Sequence, residues 1–138
     1  QTEQFAYVAD SYTDDLPYWM DFEARDHLIV LYTLYANDMR FSTPQGFNAG
    51  DQFFSYLKDS FDTLYAEGGR MMSIGLHCRP IGRPRSGAAR QRFMEYAPGH
   101  EGVGFANREA SADQWTQTDP HRRQKRPSSL SREAATAA

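Results

Sequence analysis

The stretch MMSIGLHCRP, residues 71–80, decides how the chain is interpreted. Its first six residues are mostly apolar and have the pattern of a buried strand, which ends abruptly at His77 and Arg79. Pro80 and Gly82 then turn the chain before a helix-like segment. In parallel α/β sheets, ligands bind at the carboxyl ends of the strands. His77 is therefore placed where a proton-transferring group is expected, although a buried histidine that hydrogen-bonds a loop explains the pattern equally well.

The flanking segments predict strands that alternate with helices. Strands are predicted at 5–9, 28–34, 71–76 and 103–106, and helices at 50–66, 85–96 and 109–115. The run at 28–34 is the clearest strand, and we expect both of its faces to be covered, as in a parallel sheet. Because strands alternating with helices imply right-handed crossovers, the sequence predicts the α/β class.

The predicted sheet has an edge problem. Four strands with their helices make about half of a typical barrel of ~250 residues. A half barrel leaves two open edges and one uncovered apolar face. Since the chain also begins at Gln1 rather than at Met, we expect a fragment or a subunit that needs a partner.

Composition and charge exclude several classes of protein. The net charge is −3, and the acidic residues are concentrated before residue 120, which argues against nucleic acid as a partner. The basic run at 122–126 is typical of a solvated tail, and attraction of nucleic acid or of an acidic surface is the alternative. Cys78 is the single cysteine, so we expect no disulfide, a reducing compartment and a small core residue. Because no segment looks like a signal peptide or a membrane span, we predict a cytoplasmic protein without a membrane partner.

Acidic and aromatic residues cluster near the N-terminus. Asp10, Asp14 and Asp15 precede Tyr18 and Trp19 in a segment rich in turn-forming residues. The carboxylates could orient a catalytic group, bind a polar substrate or cap a turn, and the pattern leaves these alternatives open.

A second polar group follows the predicted strand at 28–34. It contains Asn37, Asp38 and Arg40. Arg40 could hold a planar amide or carboxylate with its fork of donors, and a surface ion pair is the alternative.

Neither a metal site nor a nucleotide site is supported by the motifs. The four histidines are separated too widely for the usual metal-binding spacings; they are His27, His77, His100 and His121. The chain has no Walker A loop and no GxGxxG motif. We therefore expect no metal and no cofactor.

Seven short segments have a distinctive shared order and spacing. They are DDLPYW at 14–19, YTL at 32–34, NDMRF at 37–41, GDQFF at 50–54, LKDSFD at 57–62, MMSIGLHCR at 71–79 and GRP at 82–84. Together they resemble the C-terminal part of the allantoinase branch of the polysaccharide deacetylase-like (NodB-type) family. The resemblance implies the C-terminal half of a distorted (β/α) barrel, with residues 1–116 in the catalytic domain and 117–138 as a disordered tail.

The resemblance also implies an activity and a set of site residues. The activity is the hydrolysis of a cyclic amide, the opening of allantoin to allantoate in purine degradation. The Leu-His motif of the family corresponds to Leu76 and His77, so His77 would be the general acid. Asp14 and Asp15 would orient the catalytic groups.

The predicted substrate is a small ureide, which polar and aromatic side chains would contact. These side chains are Trp19, Asn37, Arg40 and Arg79. The full-length protein would form homo-oligomers, and the family's early motif for a general base is missing here. Tyr35 stands where an acidic residue is expected. We therefore expect the isolated chain to be inactive, and the alternatives are a carbohydrate N-deacetylase of the same fold or a non-catalytic remnant.

Overall fold

The computed structural model describes residues 5–22 and 25–121, which divide into two units. The first unit combines residues 5–8, 17–30 and 106–121, apart from the two undescribed positions. The second unit combines residues 9–16 and 31–105. Each unit is described separately below.

The first unit is built on a β-hairpin. Strand β1 (Tyr18–Phe22) pairs antiparallel with strand β2 (Arg25–Ile29). Val8 adds a single parallel bridge to Ile29. The prediction that the turn-rich segment extends over Tyr18 and Trp19 is therefore wrong, because strand β1 begins at Tyr18; it is half exposed and its apolar residues do not mark one buried face.

Helix α4 (Arg108–Thr118) completes the first unit. Its start is capped by Asn107, whose Oδ1 accepts a hydrogen bond from the Ala110 N–H at 2.8 Å. The small core of this unit contains residues from all three chain segments, namely Leu28, Val30 and Ala112 with Tyr7, Trp19 and Trp115 around them. The predicted helix at 109–115 is confirmed and extends beyond both predicted ends.

The second unit is mainly helical. Its elements are a 3-10 helix (Asp38–Ser42), α1 (Gly50–Glu67), α2 (Cys78–Ile81), α3 (Pro84–Tyr96) and a short 3-10 helix (Ala97–Gly99). The predicted helices at 50–66 and 85–96 are confirmed to within one residue at each end. Both predictions rested on apolar residues at helical spacing, and these residues form the core.

The core of the second unit is aromatic. Phe53 and Leu57 on α1 are fully buried, and Phe93 on α3 packs against Phe61 with ring centroids 5.9 Å apart. Ala89 gives the two helices room to approach closely, since it is also fully buried. The packing of α1 against α3 thus forms the aromatic core of this unit.

Three predicted strands are largely absent, since residues 5–9 contribute only the bridge of Val8 to Ile29. Residues 71–76 contribute only one bridge, the parallel pairing of Gly75 with Asn37, and residues 103–106 have no regular secondary structure. The apolar run at 28–34 is buried through Leu31, but its regular strand ends at Ile29. The described residues thus contain strands and helices with parallel bridges, and they do not form a four-stranded parallel sheet.

The end of the described chain lies close to the predicted tail. Helix α4 runs two residues past residue 116, and His121 is buried. Residues 122–138, which hold the rest of the predicted tail, lie outside the described residues. Within the described part of the chain, no helix has the length and apolar character needed to cross a membrane.

Candidate active site

A histidine and a buried aspartate meet in the second unit. The Nδ1 atom of His77 lies 2.7 Å from Oδ1 of Asp38. The backbone N–H of His77 also donates to both carboxylate oxygens of Asp38, at 3.0 and 2.9 Å. Asp38 is completely buried, whereas the side chain of His77 is 40% exposed. The carboxylate therefore holds the histidine backbone and ring while the ring remains accessible from solvent.

The second ring nitrogen of His77, Nε2, makes this pair suitable for proton transfer. When Nδ1 donates its proton to Asp38, Nε2 is the nitrogen that can exchange a proton with a ligand. A carboxylate on Nδ1 orients the imidazole and stabilises the positive charge that the ring carries as an acid. This arrangement suits proton transfer to or from a group bound at Nε2.

Asn37 holds Asp38 in place. Its Nδ2 donates to the Tyr32 hydroxyl at 2.8 Å and to the Thr33 carbonyl at 3.0 Å. Its Oδ1 accepts from the Met39 N–H at 2.9 Å, which caps the 3-10 helix that begins at Asp38. Asn37 is buried and its amide protons are both used inside the unit. The structure thus gives it a positioning role, and the substrate contact expected of it stays a prediction.

Gly75 allows the strand-like segments to approach. The Asp38 N–H donates to the Gly75 carbonyl at 3.0 Å, and the Gly75 N–H donates to the Ala36 carbonyl at 2.9 Å. A Cβ atom at Gly75 would lie 2.4 Å from Nδ2 of Asn37. The contact therefore requires glycine, and through it the segment carrying His77 is placed against Asp38.

Asp14 and Asp15 lie together in a separate cleft of about 440 Å³ in the same unit. Oδ1 of Asp14 accepts from the Asp15 N–H at 2.7 Å, and the Tyr35 hydroxyl donates to Oδ1 of Asp15 at 3.3 Å. Burial raises the pKa of Tyr35, and the nearby Asp15 raises it further. Tyr35 therefore stays a protonated hydrogen-bond donor at neutral pH. The family pattern predicts an acidic residue at position 35, and the structure instead places Tyr35 in contact with the acidic residue Asp15.

The remaining predicted residues are spread over both units. The guanidinium of Arg40 stacks 5.1 Å from the ring centroids of both Phe47 and Tyr56. Arg79 lines another cleft of the second unit. Trp19 belongs to the first unit, where its indole N–H donates to the Asp119 carbonyl at 2.7 Å. The structure brings Asp14 and Asp15 together in one cleft, while Arg40 and Arg79 lie elsewhere in the second unit.

Cys78 does not fill the role predicted for it. We expected a small core residue, and the structure places Cys78 on the surface at the start of α2. The predicted strand would have alternated its side chains between two faces, but the chain turns into a helix directly after His77.

One group of side chains in the first unit has the donors for a cation. Ligand atoms of Asp21, Asp26 and His121 all lie within 4.8 Å of one another. Nδ1 of His121 lies 2.9 Å from Oδ2 of Asp26, and Nε2 lies 3.4 Å from Oδ1 of Asp21. The two carboxylates therefore contact opposite ring nitrogens of one buried histidine.

Asp38 is the functional residue that the sequence predictions did not select. It was noted only as part of the polar group after the run at 28–34. The sequence marks Asp38 only by its position directly after Asn37, at the start of a helical turn and in register with the segment that ends at His77. Asp38 and His77 are 39 residues apart in the chain, so tertiary packing sets their contact and local patterns do not single Asp38 out.

The comparisons with known proteins agree with the motifs. No family model matches the chain. A protein of Schizosaccharomyces pombe assigned to the polysaccharide deacetylases is 40% identical over 127 residues, which cover 83% of this chain and 40% of that protein.

Two solved structures are similar to the chain. The crystal structure of PuuE allantoinase has a TM-score of 0.81 at 56% identity and matches 85% of this chain and 40% of that one. The crystal structure of a protein assigned as a polysaccharide deacetylase from Pseudomonas aeruginosa PAO1 has a TM-score of 0.80 at 53% identity, over 85% of this chain and 41% of that one.

The chain thus spans about two fifths of the length of these relatives, which is consistent with their C-terminal portion. Identity above half over most of the chain, together with a shared fold, indicates common descent. The chain is a homologue of the polysaccharide deacetylase-like proteins of NodB type, and the resemblance of its motifs to the allantoinase branch is confirmed.

Proposed function

We propose that this chain is part of an allantoinase, a hydrolase of the C–N bond in a cyclic amide, which converts allantoin and water to allantoate in purine degradation. The observation that carries the proposal is the contact of His77 with Asp38, an accessible imidazole held by a buried carboxylate. The 56% identity to PuuE allantoinase supports the choice of substrate class.

His77 is proposed as the general acid. Opening the ring requires attack of water on a carbonyl carbon, a base that takes a proton from this water and an acid that protonates the departing nitrogen. Protonated His77 would deliver its Nε2 proton to that nitrogen while Asp38 balances the charge on the ring. We assign the base to a part of the protein outside these 138 residues, so the isolated chain would be inactive.

The other predicted residues receive supporting roles. Asp14 and Asp15, which share a cleft with Tyr35, would orient catalytic groups. Arg40 and Arg79 would contact the ureide, because a ureide offers carbonyl acceptors to guanidinium donors. The substrate contact of Trp19 stays a prediction, since its indole N–H is donated to the Asp119 carbonyl. Asn37 would position Asp38 and, as predicted, also contact the substrate.

The proposed architecture is the C-terminal half of a distorted (β/α) barrel. Residues 1–116 would belong to the catalytic domain, and helix α4 continues past that bound to Thr118. The two parallel bridges, at Val8 and at Asn37, support strand neighbours of this kind. The full-length protein would be a cytoplasmic homo-oligomer that uses no metal or cofactor and binds neither nucleic acid nor membrane.

A carbohydrate N-deacetylase is the second candidate. Two of the relatives are assigned as polysaccharide deacetylases, which favours this reading over others on the same fold. Such an enzyme would cleave an acyclic acetamide, and by family resemblance it would need a metal held by residues from the other half of the barrel.

The test is the hydrolysis of allantoin by the full-length protein. We expect His77→Ala to lower the rate about 100-fold or more, the usual scale for a general acid. His27→Ala is the matched control, because His27 lies on β2 outside the Asp38–His77 contact, and it should retain the rate. Near-normal turnover by His77→Ala would remove His77 from the mechanism. Release of acetate from an N-acetylated oligosaccharide, without allantoin hydrolysis, would replace the first candidate by the second.

A further inference from the structure

The second unit has an arginine-lined cleft of about 790 Å³. Arg79 of α2, Arg83 and Arg85 line it, and Ser86 of α3 lies among them. We call it the arginine cleft. It is separate from the Asp14–Asp15 cleft, and the two clefts share no lining residue.

The positive charge of the arginine cleft has no counterpart within it. No aspartate or glutamate lines the cleft. None of Arg79, Arg83 and Arg85 makes an ion pair or side-chain hydrogen bond with a residue in the described part of the chain. Arg92, farther along α3, is different because it pairs with Asp51 at 2.7 Å. Three arginines without an ion-pair partner among the described residues thus line one cleft, in a chain whose net charge is −3.

The starts of two helices and the hydroxyl of Ser86 add further hydrogen-bond donors to the arginine cleft. Helices α1 and α3, of 18 and 13 residues, both begin at the cleft, and α3 has no side-chain cap. The start of a helix presents free N–H groups and the positive end of the helix dipole. Ser86, in the first turn of α3, is only 4% exposed, and its hydroxyl makes no hydrogen bond with any described residue. Ser86 lines the cleft, so its hydroxyl can donate to an acceptor bound there.

We propose that the arginine cleft binds a compact oxyanion, the carboxylate or phosphate group of a small molecule. Guanidinium groups form paired hydrogen bonds with the planar or tetrahedral oxygens of such groups. The free hydroxyl of Ser86 and the N–H groups at the start of α3 add neutral donors. The inference rests on these donors and does not depend on the reaction assigned to His77.

Titration calorimetry on the full-length protein at low ionic strength tests the proposal, with inorganic phosphate and malonate as probes. We expect saturable binding of at least one probe, weakened by added salt because the contacts are charge-assisted. Arg85→Gln should weaken binding about tenfold, the scale of one hydrogen bond to a charged group. Ser86→Ala should weaken it by a smaller factor. Arg90→Gln is the matched control, since Arg90 is an exposed arginine of α3 that does not line the cleft.

The outcomes separate the sources of the oxyanion. Binding of phosphate alone assigns the cleft to a phosphate group, and binding of malonate alone assigns it to a carboxylate. Failure of both probes to bind would overturn the proposal, as would equal weakening by Arg85→Gln and Arg90→Gln. Arg83→Gln provides a second test of the cleft if Arg85→Gln does not fold, and unchanged affinity in that variant would also overturn the proposal.

Discussion

Each unit contains one contact between a histidine and carboxylates, and the two contacts have opposite burial. In the second unit the Asp38 side chain is fully buried and His77 is 40% exposed. In the first unit the His121 side chain is only 9% exposed, while Asp21 is 59% exposed and Asp26 is 18% exposed. The same two chemical groups thus occur in reversed arrangements.

This difference in burial separates a histidine suited to proton transfer, His77, from one suited to stabilising the fold, His121. His77 has one ring nitrogen on Asp38 and the other without a partner among the described residues. His121 has carboxylates at both ring nitrogens and packs edge-on against Trp19, with ring centroids 5.6 Å apart. A histidine can exchange a proton with a substrate only through an accessible nitrogen, so only the first arrangement suits a catalytic role.

Removing the buried carboxylate should give the largest effect on stability. Asp38→Asn keeps the size of the side chain but replaces one acceptor oxygen by a donor that faces the N–H and ring of His77. We expect the free energy of unfolding to fall by about 2 kcal/mol or more, because charged acceptors of buried hydrogen bonds are costly to lose. Urea unfolding of the full-length protein measures this change through the transition midpoint.

Asp21→Asn is the control for that substitution. Its carboxylate is mostly exposed, and its contact with His121 is longer, at 3.4 Å. The loss should be under about 1 kcal/mol, the usual range of exposed ion pairs. Equal losses in the two variants would contradict the distinction between the contacts.

Adding a methyl group at Gly75 should have the next largest effect. Gly75→Ala places a Cβ atom 2.4 Å from Nδ2 of Asn37, so Asn37 or the backbone must move. Overpacking of this kind costs about 1–3 kcal/mol. The melting temperature of the variant should fall, and the hydrolytic rate should fall with it because Asn37 positions Asp38.

Gly99→Ala is the matched control for this substitution. A Cβ atom at Gly99 would meet nothing within 4 Å, so the melting temperature should hardly change. A Gly75→Ala variant as stable and active as Gly99→Ala would show that the close approach to Asn37 does not position the pair.

The helices could be predicted from the sequence, but most of the strands could not. The apolar spacing of Phe53, Leu57 and Phe61 identifies α1 because those residues repeat over an entire long helix. The apolar run at 71–76 looked like a strand, but apolar character records burial and not pairing, and only Gly75 pairs. The hairpin of β1 and β2 was missed because an exposed strand lacks a buried face to mark it.

The candidate site was predicted in part. His77 can be selected from the sequence because it ends an apolar run and precedes a predicted turn. Both features are local in the chain. Its partner Asp38 comes from a segment 39 residues earlier in the chain, so the contact depends on how the segments pair. Arg83 and Arg85 were overlooked for a similar reason, because the shared cleft exists only once α1, α2 and α3 have packed.

The claim that Asp38 orients the His77 ring for proton transfer is tested most directly by the protonation state of this ring in the full-length protein. Long-range ¹H–¹⁵N NMR distinguishes the two ring nitrogens and so reports which one carries the proton in the neutral ring. The contact between Asp38 and His77 predicts that Nδ1 carries the proton that faces Asp38, that Nε2 takes up the proton on acidification, and that Asp38→Asn weakens the preference for a proton on Nδ1. A neutral His77 that carries its proton on Nε2, with no change in Asp38→Asn, would contradict it.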